Sequence, residues 1–350
     1  MLVNNIGMNP VRTLPPLEEE PKVTHMSRSK RPVFVVGCPR SGTSLLYHSL
    51  LSSGGFALYD EETCAFSGLV PRTGNLARPR NRRELLSEWQ KSEYFPVDPA
   101  IRAEVNERIL REGRNGGDFL RFVMEAIARR QNVERWAEKT PDHVLFLKQI
   151  RRTVPDALII HIVRDGRDVA LSLSKIGFLK DYLLRPAHNL LVSGLYWEWL
   201  VESGHQAAAS LAPDYLEVRF EDLVGSPRDT LAQIGRFIDH DLDYDRIQRN
   251  GFHTVARPNS SFSDSSAGSY FDPVKRWAKA LSPSELADLE SLIGPTLRRL
   301  GYELATPQNR RSGGLQLRSL RSCYRSYFAL RLWAKSSQLP LVRHLIRDRQ

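Results

Sequence analysis

Short unbroken apolar runs alternate along the chain with longer stretches in which apolar positions recur every three to four residues. The first run, Val33 to Val36, reads as a buried strand that ends in Gly37, and SGTSLLYHSLLSS after it reads as a helix. The stretch RWAEKTPDHVLFLKQIRR predicts a strand end and then a helix with Thr140 as N-cap and Pro141 at its first position. DALIIHIVRDGRDVALSLSK predicts a strongly apolar strand, a turn and a helix, and DYLEVRFEDLVGSPRDTLAQIGRFI a further strand whose helix is capped by Ser226. In GGDFLRFVMEAIARRQ, residues Phe119, Phe122, Val123, Ala126 and Ile127 share one helical face. Ser282 and Glu285 form a capping box. Residues 70–100, rich in Arg, Pro and Asn, read as a helix-containing insertion.

Strands alternating with helices imply an α/β fold: a single P-loop-like domain with a central parallel sheet flanked by helices. The pattern places it at residues 31–303. Residues 1–30 lack periodicity and read as a disordered or loosely packed segment. Residues 304–350 read as a basic amphipathic helical tail, with Leu317, Leu320, Tyr324, Phe328 and Leu332 along one side and Arg318, Arg321 and Arg325 along the other.

Composition, 41% apolar and 26% charged, is that of an ordinary globular protein. No apolar run approaches the ~20 residues of a membrane span, and the N-terminus has Pro and a Glu run in place of a leader's apolar stretch, so a cytoplasmic location is expected. Cys38, Cys64 and Cys323 form no disulfide framework, and the histidines lack zinc-ligand spacing, so no metal is expected. The net charge is +10, but residues 305–350 hold ten Arg or Lys and one acid. The basic character therefore belongs to the tail, and no nucleic-acid partner is expected for the domain. The tail's roles are packing on the domain with Arg facing solvent, or peripheral contact with anionic membrane.

Two stretches carry anion-binding chemistry. In GCPRSGTS, Gly37 and Gly42 bracket a loop whose backbone N–H groups can turn inward on an anion, and a helix N-terminus follows. The ATP-binding version places Lys after the second glycine; here that position is Thr43, and the cation is Arg40 inside the loop. Arg40 offers a planar charged fork, and Ser41, Thr43 and Ser44 add hydroxyl donors. The second stretch, VRDGRDVALS, ends an apolar strand in Arg164, where a nucleotide hydrolase would put a magnesium-binding Asp, and carries Ser172 two helical turns on. An R-D-x-R-D run alone reads as a surface charge cluster; beside the loop it reads as a second anion site.

Two anion sites on a parallel sheet, without a magnesium signature, suggest a nucleotide with phosphate at both ends. The two motifs resemble those of sulfotransferases that use 3'-phosphoadenosine 5'-phosphosulfate, and the resemblance covers about residues 31 to 303. It implies that Gly37, Pro39, Arg40, Ser41, Gly42, Thr43 and Ser44 hold the 5'-phosphosulfate, and Arg164 and Ser172 the 3'-phosphate. EVRFEDLVGSPRDTLAQIGRFI is similar to the family's segment near the adenine, with Phe220 where many members have Tyr. SSFSDSSAGSYFDPVKRWAKAL is similar to its late nucleotide-clamping segment, which makes Ser261 and Arg276 phosphate contacts. The branch with tyrosylprotein sulfotransferases and bacterial relatives matches best. ALYDEETCAF then implies that the catalytic base is Glu62, with Glu61 as the other choice, and WAEKTPDH implies that Lys139 is the strand-end catalytic Lys. The His base of the cytosolic branch is excluded, because its position is Pro141.

Sulfuryl transfer needs in-line attack by a hydroxyl on sulfur, so positioning and charge neutralisation carry it. Arg40 and Lys139 would supply charge, without a metal, and Glu62 would take the acceptor proton. Without that role, Glu61 and Glu62 would be a solvated acidic turn. His48 and His253 are further base candidates. The acceptor is expected to be a hydroxyl-bearing carbohydrate, lipid or phenol. Rival readings are a P-loop ATP-dependent phosphotransferase and a non-enzymatic basic adaptor for membrane or nucleic acid.

Overall fold

The sheet has four parallel strands, two of them formed by the long apolar runs: β1 (Val33–Gly37), β2 (Ala137–Lys139), β3 (Leu158–Val163) and β4 (Tyr215–Arg219), with β1 and β3 the apolar pair. Their order across the sheet is β2-β1-β3-β4. The structure is a computed structural model and describes residues 27–73, 75–180, 185–252, 273–307 and 314–336. Every residue of β1 and β3 is buried, because both faces of the sheet are covered. Phe34, Val36, Ile159 and Val163 belong to one apolar core, and Val33, Val35, Ile160 and Ile162 to the other, as strand alternation requires.

The register positions the site. Val35 of β1 pairs with Lys139 of β2, and Gly37 of β1 with Ile162 of β3. After β1 the chain crosses to β2 on one side, then returns past β1 to β3 on the other. The loop after β1 and the turn after β3 therefore flank a topological switch point, where open α/β sheets leave a crevice. The helices used below are α1 (Thr43–Ser52), α2 (Gly166–Lys175), α3 (Asn189–Leu211), α4 (Pro283–Arg299) and α5 (Leu315–Ser336).

Phe119, Phe122, Val123, Ala126 and Ile127 are all buried along the helix Gly116–Arg130, and Ser282 and Glu285 make the expected capping box on α4. The 70–100 segment contains the helix Pro79–Lys91. Two caps differ from expectation. Thr140 and Ser226 occupy N-cap positions, but neither side chain bonds to its helix. For Thr140 the hydroxyl is engaged elsewhere: it accepts the backbone N–H of Cys64 at 3.2 Å and donates to the buried carboxylate of Glu138. The first turns after Thr140 are 3-10, Pro141–Phe146, before the α-helix Leu147–Thr153.

Helix α5 lies against α3 and α4. Tyr324 and Phe328 are fully buried, and Phe328 stacks on Trp199 at 5.4 Å. Arg321 pairs with Glu198 and Arg325 with Glu202, both on α3; Arg321 is half-buried against the domain, while Arg318 and Arg325 stay exposed to solvent. Among the described residues, no helix is long and apolar enough to cross a membrane. Residues 1–26 and the stretch LPLVRHLI, for which the sequence predicts a loose segment and the end of the tail, lie outside the described residues.

Candidate functional site

The loop between β1 and α1 is held in an unusual backbone path. Arg40 has φ 73°, in the left-handed region that a non-glycine residue enters at a cost. Gly42 has φ 95° and is the N-cap of α1. A Cβ at Gly42 would lie 2.3 Å from Cδ2 of Phe220, so the glycine meets both a backbone and a packing requirement. Ser41 and Thr43 are buried, and Pro39, Arg40 and Ser44 are half-buried.

Arg164 locks this loop. It leaves the end of β3, is buried, donates from Nη1 to the carbonyl of Arg40 at 2.9 Å, and donates from Nη2 to that of Pro273 at 2.6 Å. Its guanidinium sits 4.4 Å above the Phe220 ring. Phe220 is buried, with contacts to Gly42 on one side and Arg164 on another. Arg40 donates from Nε to Ser172 Oγ at 3.0 Å, which joins the loop to the second motif across 132 residues. Burial lowers the pKa of both arginines, and Arg276 lowers both further, which brings a third cation to the same place. Ser261 and His253 lie outside the described residues.

The R-D-x-R-D run is buried, contrary to a surface cluster. Asp165, Arg167 and Asp168 are all under cover with Arg164. Asp168 accepts the backbone N–H groups of Lys275 and Trp277, at 2.9 and 3.0 Å, and so fixes Arg276 between them. Burial pushes the Asp168 pKa up to about 6, against the pull of Arg164. Arg167 pairs with Asp165 and with Glu290 of α4, and lies over the Trp277 ring. Sequence reasoning missed Asp165, Arg167 and Asp168 as scaffolding for Arg276; the available signal was a pair of acids, at the N-cap and in the first turn of the helix that follows Arg164.

On the other side of the loop, Lys139 and Glu62 form an ion pair, Nζ to Oε1 at 3.2 Å. Lys139 is buried, while the Glu62 side chain is 44% exposed. Partial burial raises the Glu62 pKa, Asp142 and Glu138 add to the rise, and Lys139 opposes it. Glu61 is exposed and makes no side-chain hydrogen bond or ion pair among the described residues. The segment that carries both acids is anchored to α1: Tyr47 donates its hydroxyl to the carbonyl of Tyr59, and His48 bonds to Asp60. It is anchored to β2 as well, through Thr63 and Glu138. An ordinary solvated turn has no such ties. Glu138 is a fourth residue that sequence reasoning missed; its signal is a carboxylate one position before Lys139, inside a strand that is buried throughout.

The site therefore has cations from β3 and the 276 segment on one side of the loop, and a Lys–Glu pair from β2 and the 62 segment on the other. Of ten buried side-chain polar atoms without a hydrogen-bond partner among the described residues, two are donors at this site, Nε of Arg164 and Oγ of Ser41. A buried polar atom left unpaired is costly, and both belong to the two anion motifs. That arrangement fits an anionic ligand. Elsewhere, His161, His205 and Glu217 bring ligand-type atoms within 4.8 Å of one another. His205 Nε2 and Glu217 Oε2 stand 2.6 Å apart, a hydrogen-bond spacing. Two ligands of one tetrahedral zinc would stand about 3.3 Å apart.

Among curated proteins, the chain is 24% identical to protein-tyrosine sulfotransferase A of Caenorhabditis elegans over 296 residues, 79% of this chain and 69% of the relative. It is 23% identical to the protein-tyrosine sulfotransferase of Drosophila melanogaster, over 82% of this chain and 54% of the relative, about half of that protein's length. Among solved structures, the sulfotransferase domain of the Synechococcus PCC 7002 olefin synthase is similar over 72% of this chain and 89% of its own, with 19% identity and a TM-score of 0.45. Residues 32–245, more than half of the chain, match the sulfotransferase family, and the protein belongs to that family.

Proposed function

We propose that the protein transfers a sulfuryl group from 3'-phosphoadenosine 5'-phosphosulfate to a hydroxyl-bearing acceptor. The observation that carries this reading is the division of the site by the β1 loop, with Arg164 and its unpaired Nε on one side and the Lys139–Glu62 pair on the other. When bound, the donor supplies the sulfuryl group. The loop N–H groups, Ser41, Thr43, Ser44 and Arg40 would hold its 5' end, and Arg164, Ser172 and Arg276 its 3'-phosphate. Gly37 and Pro39 shape the loop, Phe220 supports it, and Ser261 remains a phosphate contact by resemblance.

Glu62 then takes the proton from the attacking hydroxyl at its carboxylate. Its raised pKa suits that role, since a base works best with a pKa nearer the working pH. Lys139 Nζ, 3.2 Å from Glu62 Oε1, stabilises charge that develops on the leaving oxygen. Arg40 neutralises the transferring group. These cations make the chemistry workable without a divalent metal. The similarity to protein-tyrosine sulfotransferases favours a phenolic hydroxyl, free or in a peptide, over carbohydrate and lipid acceptors.

Ligand stabilisation tests the reading directly. At a hundredfold excess over its dissociation constant, a ligand adds about 2.7 kcal/mol to stability. 3'-phosphoadenosine 5'-phosphate should raise the melting temperature well above ADP or adenosine 5'-phosphate at equal concentration. Equal shifts for ADP, or a larger shift with ATP and magnesium, would return the loop to an ATP-dependent phosphotransferase.

A further inference from the structure

The residues next to the proposed catalytic pair are tied to one buried carboxylate. Glu138 precedes Lys139 on β2 and is 1% exposed. It accepts hydrogen bonds from Thr63 Oγ1 at 2.8 Å, Thr140 Oγ1 at 2.5 Å and His143 Nδ1 at 3.1 Å. Thr63 directly follows Glu62, and Thr140 directly follows Lys139. The partners come from two segments 75 residues apart in the chain.

His143 extends the tie. Its Nε2 accepts the backbone N–H of Phe66 at 3.2 Å, so the ring proton sits on Nδ1 and points at Glu138. The ring is fully buried, edge-on to Phe66. The 63–66 segment and the turn after β2 thus meet at one acid and one imidazole.

An apolar residue at 138 would fill the same space without the cost of burying a charge. What it would lack is directional bonds. With its three donors, the carboxylate fixes the register between the 62 segment and the strand end, and both catalytic side chains leave from residues adjacent to those bonds.

We propose that Glu138 is a positioning residue for sulfuryl transfer, its carboxylate clamping Thr63 and Thr140 so that Glu62 and Lys139 are held together beside the β1 loop. This rests on the assignment of Glu62 and Lys139 given above. Without the clamp, the Glu62 segment keeps its ties to α1 through Tyr47 and His48, and the Cys64 N–H bond to Thr140 Oγ1, but loses the buried carboxylate that fixes Thr63 and Thr140 against each other. Three charged groups bear on Glu62 from the β2 side: Lys139 lowers its pKa, and Asp142 and Glu138 raise it.

The test uses the full chain and three variants: Thr63→Val, which keeps the shape and loses the donor; Thr63→Ser, which keeps the donor; and Glu138→Gln. Turnover is followed with radiolabelled 3'-phosphoadenosine 5'-phosphosulfate and 4-nitrophenol as the probe acceptor. The Glu62 carboxyl is titrated by carbon-13 NMR, which needs no acceptor. Misplacing catalytic groups by about 1 Å can cost about 10²-fold, so Thr63→Val should lower kcat by about 10- to 10²-fold. Its affinity for 3'-phosphoadenosine 5'-phosphate should hold, and its Glu62 midpoint should rise as Lys139 moves away. Thr63→Ser should restore both values. Adding Thr63→Val to Glu138→Gln should cost little more than Glu138→Gln alone, the coupling expected of one hydrogen-bonded unit.

Wild-type kcat and an unmoved Glu62 midpoint in Thr63→Val would overturn the proposal, as would equal losses in Thr63→Val and Thr63→Ser. If Glu138→Gln does not fold, the two Thr63 variants decide. If Glu62→Gln and Lys139→Ala both keep full turnover, the catalytic assignment fails instead, and the clamp is then judged by the Glu62 titration alone.

Discussion

Replacing Gly42 with Ala probes the loop at its most constrained point. Two separate penalties apply. Gly42 has φ 95°, and holding an L-residue in such a region costs about 1–3 kcal/mol. The new Cβ would also stand 2.3 Å from Cδ2 and 2.8 Å from Cε2 of Phe220. The ring cannot swing aside freely, since it is buried and lies beneath the Arg164 guanidinium. Forcing a methyl into a packed site costs about 1–3 kcal/mol more. The total is about 2–6 kcal/mol. Gly54→Ala separates the two penalties, because Gly54 has φ 82° and nothing within 4 Å of its would-be Cβ. Urea denaturation should show a larger fall in midpoint for Gly42→Ala than for Gly54→Ala, at unchanged slope. Binding of 3'-phosphoadenosine 5'-phosphate should weaken only for Gly42→Ala, because displacing Phe220 moves Arg164 and the loop together. Equal destabilisation by the two variants, with full ligand affinity in both, would refute this account of the loop.

Glu62→Gln should lower the rate of sulfuryl transfer by about 10²–10⁴ with little change in donor-product affinity, while Glu61→Gln should cost far less; turnover kinetics decide, and the reverse pattern would move the base to Glu61. The acid limb of kcat/KM should lie above the ordinary carboxylate value of about 4.3, because burial, Asp142 and Glu138 raise the Glu62 pKa and only its deprotonated form accepts a proton. Activity is then lost as pH falls through that raised value, and a pH–rate profile flat down to the ordinary range would count against Glu62. Phe328→Ala should destabilise the fold by about 3–5 kcal/mol, the usual cost of deleting a buried aromatic, since Phe328 is 1% exposed against Trp199 and Tyr196. Trp333→Ala, at a residue 55% exposed on the same helix, should stay within about 0.5 kcal/mol; equal effects in thermal denaturation would mean that α5 is not docked through Phe328.

The strands, the glycine loop and the helix faces were legible in the sequence because each is a local property. Unbroken apolar runs such as Val33 to Val36 are what a strand covered on both faces needs, and Gly42 marks a backbone that few residues adopt. Arg40, Arg164 and Ser172 were likewise readable as anion-binding types, in the loop after β1, at the end of β3 and on the helix that follows it. What joins them was not. The Arg40–Ser172 bond, the Lys139–Glu62 pair and the Thr63–Glu138 bond span 132, 77 and 75 residues. Each exists because β1 lies between β2 and β3, and a parallel order is fixed by crossover packing, not by any one strand's pattern. Burial of charge was also a tertiary matter. Asp165, Arg167 and Asp168 have the composition of a solvated cluster, and Arg321, half-buried, that of a solvent-facing helix side. Their fate was decided by partners elsewhere: Glu290 of α4 and the backbone around Arg276 for the first set, Glu198 of α3 for Arg321. A charge enters the interior only where such partners offset its lost hydration, and those partners come together only when the chain has folded.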